Sequence, residues 1–90
     1  MTTGGTGLSK RDVTPEATKD VIEKEAPGIV IKMMNDGLKN TEFACLSRMV
    51  AGIRGETLIV NFPGSSGGVS DCFGSISKII PHAISIIKSS

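Results

Sequence analysis

Ninety residues suffice for one small domain, and 39% hydrophobic with 21% charged residues is typical of a globular chain. The net charge of +1 argues against a long-range electrostatic attraction to nucleic acid or an anionic membrane, whereas a small anionic ligand needs only local donors. No apolar run approaches the roughly 18 residues of a membrane span and no signal peptide opens the sequence, so we expect a soluble, cytoplasmic protein.

The first half of the chain predicts two helices after an initial glycine cluster. Thr14 and Pro15 are typical of an N-cap and a first helical position, because proline gives up only a donor that is unpaired there. Apolar residues then recur at helical spacing until a proline and a glycine at positions 27–28 break the pattern. A second apolar stripe over residues 29–38 predicts another helix.

The second half of the chain predicts a buried strand between irregular segments. Residues 43–55 show no clear period and indicate a loop with a short strand. The segment TLIVNF (57–62) is continuously apolar and β-branched, as in a strand that helices cover on both faces. A glycine-rich loop (64–68) follows. Helical periodicity then extends over residues 69–87, and Pro81 should kink or divide that segment.

Two segments of the chain therefore share one plan, in which a strand end is followed by a glycine-rich loop and a helix. Glycines expose successive N–H groups and a helix N-terminus adds partial positive charge, so a phosphate can bind there without lysine. Open α/β sheets bind ligands at the carboxyl ends of their strands. Neither loop matches a standard nucleotide-binding motif, so a plain tight turn is the alternative for each. The residues indicate an α/β ligand-binding domain with phosphate as the candidate ligand.

Arg11 and Asp12, which follow the first glycine cluster, offer opposite chemistry. An arginine can donate two parallel hydrogen bonds to phosphate oxygens, and a carboxylate can hold Mg²⁺ or orient an attacking oxygen. The alternative is that Asp12 only assists the positive end of the following helix. The residues alone do not rank these two roles.

Seven short blocks occur in order along nearly the whole chain. They are TTGGTG (2–7), RDVTPEAT (11–18), EAPG (25–28), LSR (46–48), AGIRG (51–55), LIVNFPGS (58–65) and PHA (81–83). Together they resemble the molybdopterin adenylyltransferase family, which includes the Mog and MoaB proteins and the G domain of gephyrin. The resemblance implies a three-layer α/β fold, with a mostly parallel sheet covered by helices on both faces, assembled as a homotrimer. It further implies that residues 1–90 are a partial domain whose first strands are absent.

The resemblance also implies a reaction and a set of site residues. In that reaction the terminal phosphate of molybdopterin attacks the α-phosphate of ATP with Mg²⁺, which releases pyrophosphate during molybdenum cofactor biosynthesis. Asp12 matches the family's functional acidic position and is expected to act in catalysis and hold the metal. The first loop is expected to bind nucleotide phosphates, and the second the phosphate of molybdopterin. The positions that match the ligand-contacting loops are Gly4, Gly5, Thr6, Gly7, Gly64 and Ser65.

The family's second loop often reads PGSPKG, whereas this chain has a glycine at the position of the lysine. Such a loop keeps its amides and loses one charge. Two alternatives to the enzyme follow from the resemblance. One is a non-catalytic, trimerising scaffold like the gephyrin G domain, and the other is an inactive truncated product whose sheet exposes unpaired edges.

Overall fold

The computed structural model describes residues 1–89, which form one mixed sheet with helices around it. In chain order the elements are β1 (Thr2–Thr3), α1 (Thr14–Val21), β2 (Lys24–Glu25), α2 (Pro27–Leu38), a 3₁₀ helix (Glu42–Leu46), β3 (Ala51–Arg54), β4 (Thr57–Phe62), α3 (Ser66–Ile76) and α4 (Ile80–Ser89). The strand order across the sheet is β1-β4-β3-β2. The α/β class is therefore confirmed.

The pairing of the strands differs from the expected mostly parallel sheet. Strand β1 runs parallel to β4, with Thr2 opposite Asn61, but β4 pairs antiparallel with β3 and β3 with β2. The antiparallel β3–β4 pair is a hairpin, and its two-residue turn is allowed by Gly55 at a φ of 59°. The sheet of residues 1–89 is thus mixed, because a short hairpin connection enforces antiparallel pairing.

Strand β2 lies where the sequence predicts the end of the first helix. Helix α1 ends at Val21, and the backbone then pairs with β3, with Ala26 N donating to Ala51 O at 2.8 Å. This pairing requires glycine in β3, since a Cβ on Gly52 would lie 2.6 Å from the carbonyl oxygen of Lys24. Tertiary pairing therefore overrides the local helical pattern, and Pro27 begins α2 rather than only ending α1.

Helices cover both faces of the sheet, which confirms the three-layer arrangement. Side chains of β4 alternate, so Val60 and Phe62 pack in the core with α2 and α3, whereas Asn61 points to α1 and donates to Thr18 Oγ1. The buried hydrophobic core consists of Met33, Met49, Ala51, Val60, Phe62, Cys72 and Ile76. The absence of Trp and Tyr predicts an aliphatic core, and apart from the aromatic Phe62 the buried side chains are aliphatic or contain sulfur.

The last helical segment of the chain is divided into two helices, α3 and α4. Strand β4 has the predicted bounds, and Pro81 lies in the first turn of α4, after the break that follows Ile76. Helix α3 begins at Ser66, three residues before the expected start. In residues 1–89 no helix combines the length and the apolar character needed to cross a membrane.

Helices α2 and α3 are joined by a polar contact whose strength depends on pH. Ser75 Oγ of α3 donates to Asp36 Oδ2 at 2.5 Å, and Lys32 Nζ donates to the same oxygen at 3.1 Å. These contacts, led by the hydrogen bond from Ser75, lower the pKa of Asp36 from 3.8 to about 2. A carboxyl group with a depressed pKa in the folded state stabilises the fold above its unfolded pKa and loses this contribution on acidification.

We expect the free energy of unfolding to fall between about pH 4 and pH 2 partly through protonation of Asp36. Urea unfolding at pH 5 and pH 2.5 tests this expectation in the wild type and in Asp36→Asn. The variant should lose less stability over that interval than the wild type. Asp20→Asn, at an exposed position on α1, is the matched control and should follow the wild type. Equal pH dependence in all three proteins would contradict the assignment.

Candidate functional site

The two glycine-rich segments lie next to each other at one edge of the sheet. We call residues 4–13 the first loop and residues 63–68, which include the first turn of α3, the second loop. Because β1 and β4 are parallel, both loops begin at the same edge. The hydroxyl of Thr3, at the end of β1, donates to the carbonyl oxygen of Pro63 at 2.6 Å and joins the two chain segments.

The backbones of the two loops are in contact. The N–H group of Gly4 donates to Phe62 O at 3.1 Å, which extends the parallel pairing by one residue. A Cβ built on Gly64 would lie 3.4 Å from Cα of Gly4, which is a van der Waals distance, so the two loop backbones lie next to each other. The structure thus places Gly4 next to Gly64, at the point where both loops begin.

The first loop turns sharply and is closed onto the start of α1. Gly4 and Gly5 have φ values of 90° and 71°, in the region that favours glycine. The carbonyl oxygen of Gly5 accepts a hydrogen bond from Thr14 N at 3.0 Å, and Thr6 is buried at 3% exposure. The loop backbone is therefore held by hydrogen bonds and packing within the domain.

Asp12 stabilises the first loop through its side chain. Its Oδ2 accepts hydrogen bonds from Ser9 N at 3.0 Å and from Ser9 Oγ at 2.8 Å. The bond from the Ser9 hydroxyl is the main reason that the pKa of Asp12 lies below its usual value, and the group is ionised at neutral pH. Helix α1 has Val13 as its N-cap, with no capping hydrogen bond from a side chain. The alternative that the charge of Asp12 assists the positive end of α1 stays a prediction.

Arg48 makes the densest set of contacts with the first loop, and the sequence did not predict this role. Its Nε donates to Gly7 O at 2.8 Å, Nη2 donates to Asp12 O at 2.6 Å, and Nη1 donates to Glu16 Oε2 at 2.6 Å. The contact with Glu16 raises the pKa of Arg48 and lowers that of Glu16. The only signal in the sequence was the position of Arg48 in the LSR block.

The second loop ends in the N-terminus of α3. Ser65 is the N-cap, and its Oγ accepts from Gly68 N at 3.1 Å. Glycine at position 68 leaves room for this contact, because a Cβ there would lie 2.8 Å from Ser65 Oγ and 3.0 Å from Cβ of Pro63. The hydroxyl group of Ser65 accepts in this contact and keeps its own proton for donation to a ligand.

A cavity of about 420 Å³ opens beside the second loop. Ser65, Gly67 and Gly68 line one part of it, and the rest of its wall comes mainly from α2, the 3₁₀ helix, α3 and the chain segments next to them. Its apolar lining includes Met33, Met34, Phe43, Met49, Pro63 and Cys72. No residue of the first loop lines this cavity, and no hydrogen bond within residues 1–89 joins Asp12 to Gly64 or Ser65.

The donor atoms in the described part of the chain limit the kind of metal that the site can hold. Residues 1–89 contain no group of three or more His, Cys, Asp and Glu side chains placed around a common point. Asp12 offers one ionised carboxylate, and magnesium in phosphate-handling sites takes one or two carboxylates with phosphate oxygens and water. The residues fit a magnesium ion that arrives with a nucleotide, and they do not form an all-protein metal centre.

The fold and the site define an α/β domain with two adjacent glycine-rich loops at the carboxyl ends of two parallel strands. The chain belongs to the family described as the probable molybdopterin binding domain, which residues 1–82 match. The resemblance noted in the sequence is therefore confirmed.

Several named proteins are similar to this chain. It is 49% identical over 87 residues to the molybdenum cofactor synthesis protein cinnamon of Drosophila melanogaster, and the match covers 97% of this chain and 14% of cinnamon. It is 47% identical over 89 residues to gephyrin of Dictyostelium discoideum, covering 99% of this chain and 12% of gephyrin. It is 44% identical over 87 residues to molybdopterin adenylyltransferase of Helicobacter pylori strain J99, covering 97% of this chain and 49% of that enzyme.

Solved structures confirm the fold. The Mog protein of Mycobacterium ulcerans superimposes with a TM-score of 0.90 at 42% identity, covering 94% of this chain and 56% of that one. The MoaB protein of Thermus thermophilus superimposes with a TM-score of 0.88 at 45% identity, covering 98% of this chain and 55% of that one. The chain thus spans about half the length of its bacterial relatives.

Proposed function

We propose that this chain contributes to molybdenum cofactor biosynthesis as part of a molybdopterin adenylyltransferase, which transfers AMP from ATP to molybdopterin. The observation that carries the proposal is the contact between the two glycine loops, with Gly4 against Gly64. Similar proteins from Helicobacter pylori and Escherichia coli that bear the enzyme's name support it. These enzyme relatives do not favour the alternative of a scaffold without catalytic activity.

The geometry suits a reaction that joins two phosphates. In the proposal, the amides of the first loop bind the phosphates of ATP, and Gly64 and Ser65 bind the terminal phosphate of molybdopterin. An oxygen of that phosphate attacks the α-phosphorus of ATP, a new P–O bond forms, and pyrophosphate leaves with its electron pair. Loop amides that are already oriented stabilise the charge that develops on the transferred group.

Asp12 acts in this proposal as an anion and not as a proton donor. Its hydrogen bonds from Ser9 hold the pKa below its usual value, so the carboxylate remains charged at neutral pH. Magnesium bound with the nucleotide would neutralise phosphate charge, and Asp12 is the residue that would hold it. The homotrimer and the cytoplasmic location that the resemblance implies stay predictions.

We expect Asp12→Asn to lower magnesium-dependent pyrophosphate release by about 100-fold, because removing one oriented electrostatic group has an effect of that order. Release is measured with ATP and molybdopterin and the purified chain. Asp20→Asn, an exposed acid on α1, is the control and should keep the wild-type rate. Full activity of Asp12→Asn would refute the role of Asp12, and no release by the wild type would refute the proposed reaction for this chain.

A further inference from the structure

We infer that Arg48 is a positioning residue that holds the first loop in the conformation that accepts anionic phosphate. The inference rests on the proposed function for the identity of the ligand, but the conformational role stands on contacts that the structure shows. Main-chain and side-chain atoms of Arg48 both contact the loop. Arg48 lies between the 3₁₀ helix and β3, on a different segment of the chain.

The first step concerns the carbonyl oxygens of the loop. A loop that holds an anion must direct N–H groups toward it and turn carbonyl oxygens, which carry partial negative charge, away. Arg48 N donates to Thr6 O at 2.7 Å, and its side chain binds the carbonyl oxygens of Gly7 and Asp12 at 2.8 and 2.6 Å. These three oxygens are therefore directed at Arg48 and cannot lie against a phosphate.

The second step concerns the guanidinium group itself. Glu16 of α1 accepts from Nη1 at 2.6 Å and from Nη2 at 3.4 Å, which fixes the plane of the group and balances its charge. All three nitrogen atoms of the side chain are thus engaged within the protein. Arg48 acts through the loop rather than as a ligand of the phosphate. A lysine in its place cannot reproduce this planar set of donors.

The third step links Arg48 to the candidate catalytic carboxylate. The carbonyl oxygen that accepts from Nη2 belongs to Asp12, so the same residue that offers its carboxylate is anchored through its backbone. The carboxylate is in turn tied to Ser9 within the loop. Loss of Arg48 would therefore free the backbone of the first loop, and the carboxylate of Asp12 would move with it.

The experiment combines hydrogen exchange of the amides in residues 4–13 with calorimetry of Mg·ATP binding. It compares the wild type with Arg48→Gln and Arg48→Lys. Arg54→Gln is the matched control, since Arg54 Nη1 also donates to a main-chain carbonyl, that of Val21, but away from the loop. We expect Arg48→Gln to raise the amide exchange rates in residues 4–13. We also expect it to raise the Kd for ATP at least tenfold, because hydrogen bonds from a charged group are lost. Arg48→Lys should recover little, and the control should be unchanged.

The two readouts separate this inference from the proposed function. If the wild type fails to bind ATP, the proposed function is refuted, and the exchange data still decide the role of Arg48. Unchanged exchange in residues 4–13 of Arg48→Gln would overturn the inference, as would an equal rise over all elements, which indicates general destabilisation. If Arg48→Gln does not fold, Arg48→Lys is judged by the same two criteria.

Discussion

Replacement of Asn61 by alanine is expected to lower the free energy of unfolding by about 3 kcal/mol. Asn61 is fully buried in β4. Its Oδ1 accepts from Val50 N at 3.1 Å, and its Nδ2 donates to Thr2 Oγ1 and to Thr18 Oγ1, both at 3.0 Å. Alanine would leave the Val50 N–H group without an acceptor and would also open a small cavity between β4 and α1.

Urea unfolding monitored by circular dichroism measures this effect. Asn40→Ala is the control, because Asn40 lies in an exposed turn after α2 and its side chain lacks comparable contacts within residues 1–89. The control should change stability by less than about 0.5 kcal/mol. Since Asn61 binds Thr2 of β1, Asn61→Ala should also speed hydrogen exchange in the first loop. A stability equal to that of Asn40→Ala would show that the buried amide network contributes little.

The longest-range features of this fold are those that the sequence could not predict. The run TLIVNF is rich in apolar and β-branched residues, as in a strand covered on both faces, and β4 has the predicted bounds. The buried hydrogen-bonded Asn61 is the exception to this apolar pattern. Strands β1 and β2 contain two residues each, which is too short for any period. They form because neighbouring strands provide hydrogen-bond partners, and those partners lie far away in sequence.

In the candidate site, too, local features could be predicted from the sequence, whereas contacts between distant segments could not. Glycines reveal both loops in the sequence, although for different reasons. In the first loop Gly4 and Gly5 adopt positive φ, and in the second loop Gly68 packs closely against Pro63. The role of Arg48 leaves no such mark, since its loop partners lie 36 and 41 positions earlier in the chain. The relation of the two loops likewise depends on the parallel register of β1 and β4, which only the structure provides.

Gly5→Ala is expected to destabilise the domain by about 3 kcal/mol for two separate reasons. The φ of 71° costs an L-residue about 1 to 2 kcal/mol. In addition, the new Cβ would overlap Oγ1 of Thr14, and forcing an extra carbon into a packed position costs about 1 to 3 kcal/mol. Gly74→Ala is the control, because Gly74 lies within α3 with open space around it. This substitution should raise the free energy of unfolding by about 0.5 to 1 kcal/mol.

A double-mutant cycle can separate these two costs. Thr14→Ala removes the hydroxyl that the new Cβ would meet, so the pair Gly5→Ala and Thr14→Ala should be more stable than the sum of the single variants predicts, by about 1 to 2 kcal/mol. The remaining loss measures the strain of positive φ. Gly4→Ala gives an independent value for that strain, because Gly4 has a φ of 90° and no atom within 4 Å of its added Cβ. Strict additivity of the cycle would mean that the loop moves away from α1, and the loop's conformation would then not depend on its contact with Thr14.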